Sequence, residues 1–352
     1  MNILMLLVGL GTLIVGAEAL VRGGSRLAAR FGVPPLIVGL TVAAYGTGSP
    51  EMAVSLRAAL AGQADIAVGN IAGSNILNVL VVLGVAALLR PLAVDTRLVR
   101  RDVPVLIAAS ALFLVLSLDG SLGRLDGVLL ALGGAGYTIL VVRGASRHPR
   151  RSAPGYPGPR SLAGGPFLSA AFVLAGLALL VLGAHWLVTA AVAIARSLGV
   201  SELLIGLSIV AVGTSLPELA TSIVAAFRGE RDIAVGNVVG SGIFNILIVL
   251  GVSALLSPAR IGIATSALRF DIPLALAAAV VCLPVFFTGH TISRWEGGLF
   301  LGSYVLYAWL LGLRAAGAGD RSVLVFGLVV GGVVLAAVVW MLARLALRRG
   351  VS

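Results

Sequence analysis

Two glutamates, Glu51 and Glu218, sit in apolar surroundings that do not suit a carboxylate. Each ends a similar run, Ala44-Tyr45-Gly46-Thr47-Gly48-Ser49-Pro50-Glu51 and Ala211-Val212-Gly213-Thr214-Ser215-Leu216-Pro217-Glu218. A carboxylate in hydrocarbon costs at least ~2.5–3.5 kcal/mol on insertion scales, so it marks a functional position by default. A proline four residues after a glycine removes a helical hydrogen bond and crowds the glycine carbonyl. In lipid a carbonyl freed in this way needs another partner. Gly46 with Pro50, and Gly213 with Pro217, therefore read as helix breaks that leave the carbonyls around Ala44 and Ala211 open to a cation. Thr47 and Glu51 share a helical face, as do Thr214 and Glu218. Ser74 with Asn78 and Ser241 with Asn245 repeat that spacing in the apolar segments that follow. Carboxylates, amides, hydroxyls and carbonyls together make an all-oxygen cage suited to Ca²⁺, which takes about 6–8 oxygens. An ordinary membrane-helix kink would explain either proline alone, but not both beside a glutamate.

The elements that carry these residues are membrane spans. Of 352 residues, 59% are hydrophobic and 11% charged, against roughly 25% charged in soluble domains. Such a chain cannot cover itself with polar surface. A span needs about 20 residues, and eleven apolar runs qualify: 3–22, 36–60, 68–89, 103–118, 127–143, 167–195, 202–227, 236–256, 271–288, 297–313 and 323–345. The net charge of +11 comes from arginines between spans, where they act as topology signals rather than nucleic-acid contacts. One cysteine and three scattered histidines make no metal cluster, and no HExxH or GxSxG motif indicates an enzyme. No catalytic residue and no cofactor is expected, and membrane lipid is the one macromolecular environment implied. The oligomeric state is not encoded legibly.

The halves are copies. Asp65-Ile66-Ala67-Val68-Gly69-Asn70 returns identically at 232–237, and Thr47, Glu51, Ser74 and Asn78 meet Thr214, Glu218, Ser241 and Asn245 at one constant offset. Later the register slips slightly, where Tyr137 matches Tyr307. An odd number of spans per copy forces the second into the opposite orientation, an inverted-topology repeat. With the N-terminus outside and the C-terminus cytoplasmic, 18 of the 25 arginines fall inside, in keeping with the positive-inside bias. The expected fold is an all-α polytopic membrane protein of two inverted five-helix repeats with broken second and seventh helices. Its parts are a first repeat at 1–143, a cytoplasmic linker at 144–166, a second repeat at 167–315, and a further C-terminal span with a basic tail at 316–352. That last span lies outside the repeats, has no carboxylate after Asp320, and is expected to be dispensable for transport. Asp65 and Asp232, at span starts, are expected to cap helices, and Glu18 to be a locally paired carboxylate.

These residues resemble the Ca²⁺:cation antiporter superfamily, in particular the prokaryotic type of its sodium/calcium exchanger branch, over the first ten spans. The resemblance implies alternating-access exchange of Ca²⁺ for Na⁺ at the cell (inner) membrane. It implies a central site of Glu51, Asn78, Glu218 and Asn245. Flanking sodium sites would use Thr47, Ser74, Thr214, Ser215 and Ser241 with the carbonyls of Ala44 and Ala211. Three departures stand out. Gly48 replaces a common serine, Gly242 stands where Asn75 would predict asparagine, and Asn245 is neutral where potassium-dependent relatives carry aspartate. Restoring the hydroxyl with Gly48→Ser is expected to tighten sodium binding at the inner face. Exchange against protons is the alternative coupling, and a cation channel the alternative class.

Overall fold

A computed structural model describes residues 2–146, 165–198, 211–287 and 289–315. The span at 323–345 and most of the linker lie outside these residues. The first repeat comprises α1 (Asn2–Phe31), α2 (Pro35–Thr47), α3 (Ser49–Leu60), α4 (Ala64–Leu89), α5 (98–116) and α6 (Arg124–Ser146). The second comprises α7 (Pro166–Ser197), the short stretch Ala211–Gly213, α8 (Leu216–Arg228), α9 (Arg231–Leu256), α10 (Ala267–Phe287) and α11 (Arg294–Ala315). Helix stands at each of the ten spans expected before residue 316, and seven of the described helices are long and apolar enough to cross a membrane unaided. The second span is the broken pair α2–α3, and α8 continues the seventh.

The first break is the single residue Gly48, and the second is the pair Thr214 and Ser215. Gly48 (φ −76°, ψ 2°) ends α2, and Ser215 (φ −89°, ψ 7°) precedes α8. Pro50 and Pro217 therefore fall in the first turn of a new helix, where a missing N–H costs nothing. They act as helix starters rather than as wedges in mid-helix. Asp65 and Asp232 do not cap: Gln63 and Glu230 hold the cap positions, and neither cap has a side-chain hydrogen bond. The aspartates sit in the first turn, where the helix dipole favours a negative charge.

α4 and α9 are buried over most of their length and form the centre of the molecule. The repeats interleave around them. α6 of the first repeat packs on α9, and α11 of the second packs on α4. Glycines allow this approach: a Cβ on Gly127 would stand 2.7 Å from the Gly251 carbonyl oxygen, and one on Gly297 2.7 Å from that of Gly84. α1 and α7 pair along a second seam, where a Cβ on Gly16 would meet the Leu180 nitrogen at 2.7 Å. Small residues at such seams replace the hydrophobic drive that lipid does not supply.

Four two-residue strands tie the connections together: β1 (Leu92–Ala93), β2 (Ser121–Leu122), β3 (Ile261–Gly262) and β4 (Thr291–Ile292). β1 pairs with β4 and β2 with β3, both antiparallel. β1 links the third and fourth spans, whereas β4 links the fourth and fifth of the second repeat. Backbone pairing brings these two connections together, an arrangement consistent with inverted repeats.

Asp102 and Asp271 open the fourth and ninth spans deeper than their place at span ends implied. Tyr137 Oη donates to Asp102 Oδ1 at 3.1 Å and Tyr307 Oη to Asp271 Oδ1 at 2.8 Å. Asp102 is buried, and its other oxygen has no hydrogen-bond partner among the described residues. Tyr137→Phe would remove this side-chain hydrogen bond, a loss of about 1–3 kcal/mol for a buried group. We expect a lower Tm in detergent for Tyr137→Phe and a smaller drop for Tyr307→Phe, because Asp271 is only partly buried. Equal Tm values for wild type and Tyr137→Phe would show that the pair contributes nothing.

Candidate cation-binding site

The four central residues arrive on four helices. Glu51 sits in the first turn of α3 and Glu218 in the first turn of α8. Asn78 and Asn245 each open a π-helical turn, Asn78–Leu83 in α4 and Asn245–Leu250 in α9. Such widened turns recur at functional sites because they re-aim a side chain. The halves cross: the turn at Asn78 packs on α8, and that at Asn245 packs on α3. All four residues are 0–1% exposed, and the two carboxylates are close enough to repel each other.

Their free atoms decide what the site can hold. Glu51 Oε2, both carboxylate oxygens of Glu218, Asn78 Oδ1 and Asn245 Oδ1 are buried without a hydrogen-bond partner among the described residues. Native interiors satisfy nearly all buried polar atoms, so five orphaned oxygens from equivalent positions need another explanation. Five hard oxygen donors carrying two negative charges fit a divalent cation such as Ca²⁺. Asn245 is aimed for this: its Nδ2 donates to Asn75 Oδ1 at 3.1 Å, which leaves its own oxygen free. Asn75 is held in turn by donating to the Gly242 carbonyl at 3.2 Å.

The flanking residues divide into two groups. Ser215 Oγ donates to Glu51 Oε1 at 3.2 Å and lies 3.3 Å from Ser74 Oγ, which itself donates to Glu51 Oε1 at 3.4 Å. Ser74, Ser215 and Glu51 thus form one cluster. Ser241 lies beside Glu218 and donates to the Ala44 carbonyl at 3.4 Å, and that carbonyl also accepts from the Gly48 N–H at 3.0 Å. The Ala44 oxygen is therefore not left open by the helix break. Nor is that of Gly46, which accepts from Ser49 Oγ at 2.6 Å. Ala211 and Gly213 bound the short stretch equivalent to Ala44–Gly46.

The threonines bond across the repeat boundary, and Thr47 also lies beside Glu218 rather than Glu51. Thr47 Oγ1 donates to Asn237 Oδ1 at 3.2 Å, and Thr214 Oγ1 to Asn70 Oδ1 at 3.4 Å, each across the repeat boundary. Asn70 and Asn237 were not singled out from sequence, yet they are the hubs of the site. Asn70 Nδ2 donates to Ser55 Oγ at 2.8 Å and the Glu51 carbonyl at 3.3 Å; Asn237 Nδ2 donates to Ser222 Oγ at 3.2 Å and the Glu218 carbonyl at 3.5 Å. Each asparagine thus joins a threonine before one break to the glutamate helix after the other.

Glu18 is outside this cluster. It pairs with Arg22 one turn on and with Arg228 at the end of α8, as expected of a locally paired carboxylate. Glu18→Gln is expected to keep at least about a fifth of wild-type flux, since a partly exposed pair is worth only ~0–1 kcal/mol. Loss of transport in a folded Glu18→Gln protein would place this residue in the mechanism.

A sequence model of the family described as sodium/calcium exchanger protein matches residues 1–143 and 168–313. The chain belongs to the sodium/calcium exchanger family. It is 33% identical over 346 residues to the sodium/calcium exchanger MaX1 of Methanosarcina acetivorans, covering 88% of this chain and 98% of that one. It is 38% identical over 312 residues to the putative antiporter CaxA of Alkalimonas amylolytica, covering 87% and 97%. The fold superposes on the sodium-calcium exchanger NCX_Mj with a TM-score of 0.73 at 30% identity, covering 87% and 97% of the two chains. This exchanger-family protein is a multi-pass integral membrane antiporter and not an enzyme. Its helical, repeat-built core is the fold of that family.

Proposed function

We propose that the protein moves Ca²⁺ in exchange for Na⁺ through the buried site of Glu51, Glu218, Asn78 and Asn245, by alternating access. The observation that carries this is the set of five unpartnered buried oxygens, all at positions related by the repeat. Three are on the glutamates that follow the two helix breaks and two on the asparagines of the π-helical turns. Ca²⁺ would be held by the two carboxylates and two amide oxygens, and Na⁺ would compete for the same charge. Discontinuous helices meeting at mid-membrane carboxylates suit a site exposed alternately to each face better than an open pore. The arginine distribution supports an N-terminus outside and a C-terminus in the cytoplasm.

Proton coupling is the second reading, since two buried carboxylates could be neutralised by protons in place of sodium. Radiolabelled Ca²⁺ uptake into proteoliposomes separates the two. An outward sodium gradient should drive uptake at symmetric pH, and a pH gradient without sodium should not. The reverse pattern would assign the coupling to protons. Conductive, gradient-independent Ca²⁺ currents in single-channel recordings would assign the protein to the channels instead.

A further inference from the structure

The two sides of the molecule are not packed alike. α1 and α7 lie against each other along their glycine seam. Toward the inner side, in the orientation proposed above, α1 packs closely on α8. The repeat equivalent, α7 on α3, has no comparable packing among the described residues. Exposure follows the same division: Thr221 on α8 is 0% exposed, and its counterpart Val54 on α3 is 37% exposed. Asn237 is fully buried and Asn70 only half-buried. The inner half of α9 also closes on α2, where a Cβ on Gly240 would stand 2.8 Å from the Leu40 carbonyl oxygen. Gly48 belongs to the same tight contact, since a Cβ there would stand 2.9 Å from Phe244 Cδ1 and 2.9 Å from the Ala44 oxygen. Gly48→Ser would therefore crowd both groups, contrary to the tighter sodium binding expected from sequence.

We infer that the ion pair between Glu18 and Arg228 is a latch that holds the inner side shut and weights the exchanger toward its outward-open state. The inference rests on the alternating-access reading above. Glu18 bridges two helices. Its Oε1 meets Arg22 at 2.6 Å within α1, and both its oxygens meet Arg228 at the end of α8, whose Nε donates to Oε2 at 2.5 Å. Two-pronged contact of this kind is the geometry in which arginine holds a carboxylate most firmly. Arg228 stands directly before Gly229, whose left-handed φ of 81° ends α8, so the guanidinium is carried by a helix end. The repeat equivalents of Glu18 and Arg228 are His185 and Ala61, which cannot form such a pair. In an inverted repeat the opposite state is reached when the two copies exchange roles, so α1 leaves α8 and α7 closes on α3. Glu18 and Arg228 then separate, and the side that closes supplies no ion pair in return. The latch acts on one state only. A bias of that kind moves the apparent affinities on the two faces in opposite directions.

The test is radiolabelled Ca²⁺–Ca²⁺ exchange in proteoliposomes of fixed orientation, with Ca²⁺ titrated on one face at a time. It needs neither sodium nor a proton gradient. In Glu18→Gln and in Arg228→Gln the half-saturating Ca²⁺ concentration at the outer face, relative to that at the inner face, should rise about two- to five-fold, the range of a partly exposed ion pair. The charge-swapped variant Glu18→Arg/Arg228→Glu should return the ratio toward wild type, which a merely structural role for either residue would not do. If one single variant fails to insert, the other carries the test. A ratio unchanged in the single variants, an equal shift on both faces, or a swap that behaves like the single variants would overturn the latch and leave exchange intact. Absence of any Ca²⁺–Ca²⁺ exchange in the wild type would remove the alternating-access reading itself, and the latch with it.

Discussion

Replacing Glu51 or Glu218 with glutamine should abolish exchange while leaving the protein folded. Each substitution keeps shape and removes half the charge that faces the cation. Losing one member of a buried, desolvated charge pair costs roughly 2–5 kcal/mol, which corresponds to about a 30- to 5,000-fold loss of Ca²⁺ affinity. Stability should move the other way. In the ion-free protein two carboxylates are buried within reach of each other, and neutralising one relieves that cost. The relief should appear at both positions, since Glu51 lies beside Ser74 and Ser215 and Glu218 beside Thr47 and Ser241, while each still faces the other carboxylate. Thermal melts in detergent with and without Ca²⁺ check both parts. The calcium-induced rise in Tm should vanish in both variants, and the ion-free Tm should rise in each. A variant that retains the calcium-induced rise would remove that glutamate from the site.

Asn237→Ala should destabilise the protein more than any other neutral substitution around the site. Its side chain is fully buried and meets three partners from both repeats: Thr47, Ser222 and the Glu218 carbonyl. Each buried group left unsatisfied costs about 1–3 kcal/mol, and water has no ready route to replace the amide. Asn70 makes the equivalent contacts but is only half-buried, so Asn70→Ala should cost less in stability. Both should slow exchange, because the glutamate helices lose their tie to the opposite break. Tm and sodium-driven flux measured on the two variants decide it. Equal Tm losses would mean that solvent does not reach Asn70, and no loss at Asn237 would show that the hydrogen bonds do not hold the breaks.

Much of the site was legible because the chain writes it twice. A carboxylate beside a proline in an apolar run is ambiguous once and informative when repeated at a fixed offset. The helices before residue 316 followed from the apolar runs, since lipid sets the length a span needs. Asn70 and Asn237 also carried a signal, a polar amide ending an identical hexapeptide in an apolar segment, but it was read only as proof of duplication. Other features had no local trace. The fit of Phe244 against Gly48 joins residues far apart in the chain, and no spacing rule encodes it. The π-helical turns at Asn78 and Asn245 have no residue signature and arise from packing against α8 and α3. The engaged carbonyls of Ala44 and Gly46 depended on where Ser241 and Ser49 point, which helical periodicity does not fix.

The crossed pairing of β1 with β4 and of β2 with β3 has a consequence for biosynthesis. When the first repeat leaves the ribosome, both of its strands lack partners, and Asn70 and Thr47 face bonds that the nascent chain cannot yet make. The ladder between Leu92 and Ile292 waits until almost the whole core has been inserted. Assembly is then the docking of two preinserted halves within the bilayer, and the connection between them needs reach rather than sequence. Two separately translated chains, cut within 147–164, would meet the same docking problem and have the same solution available.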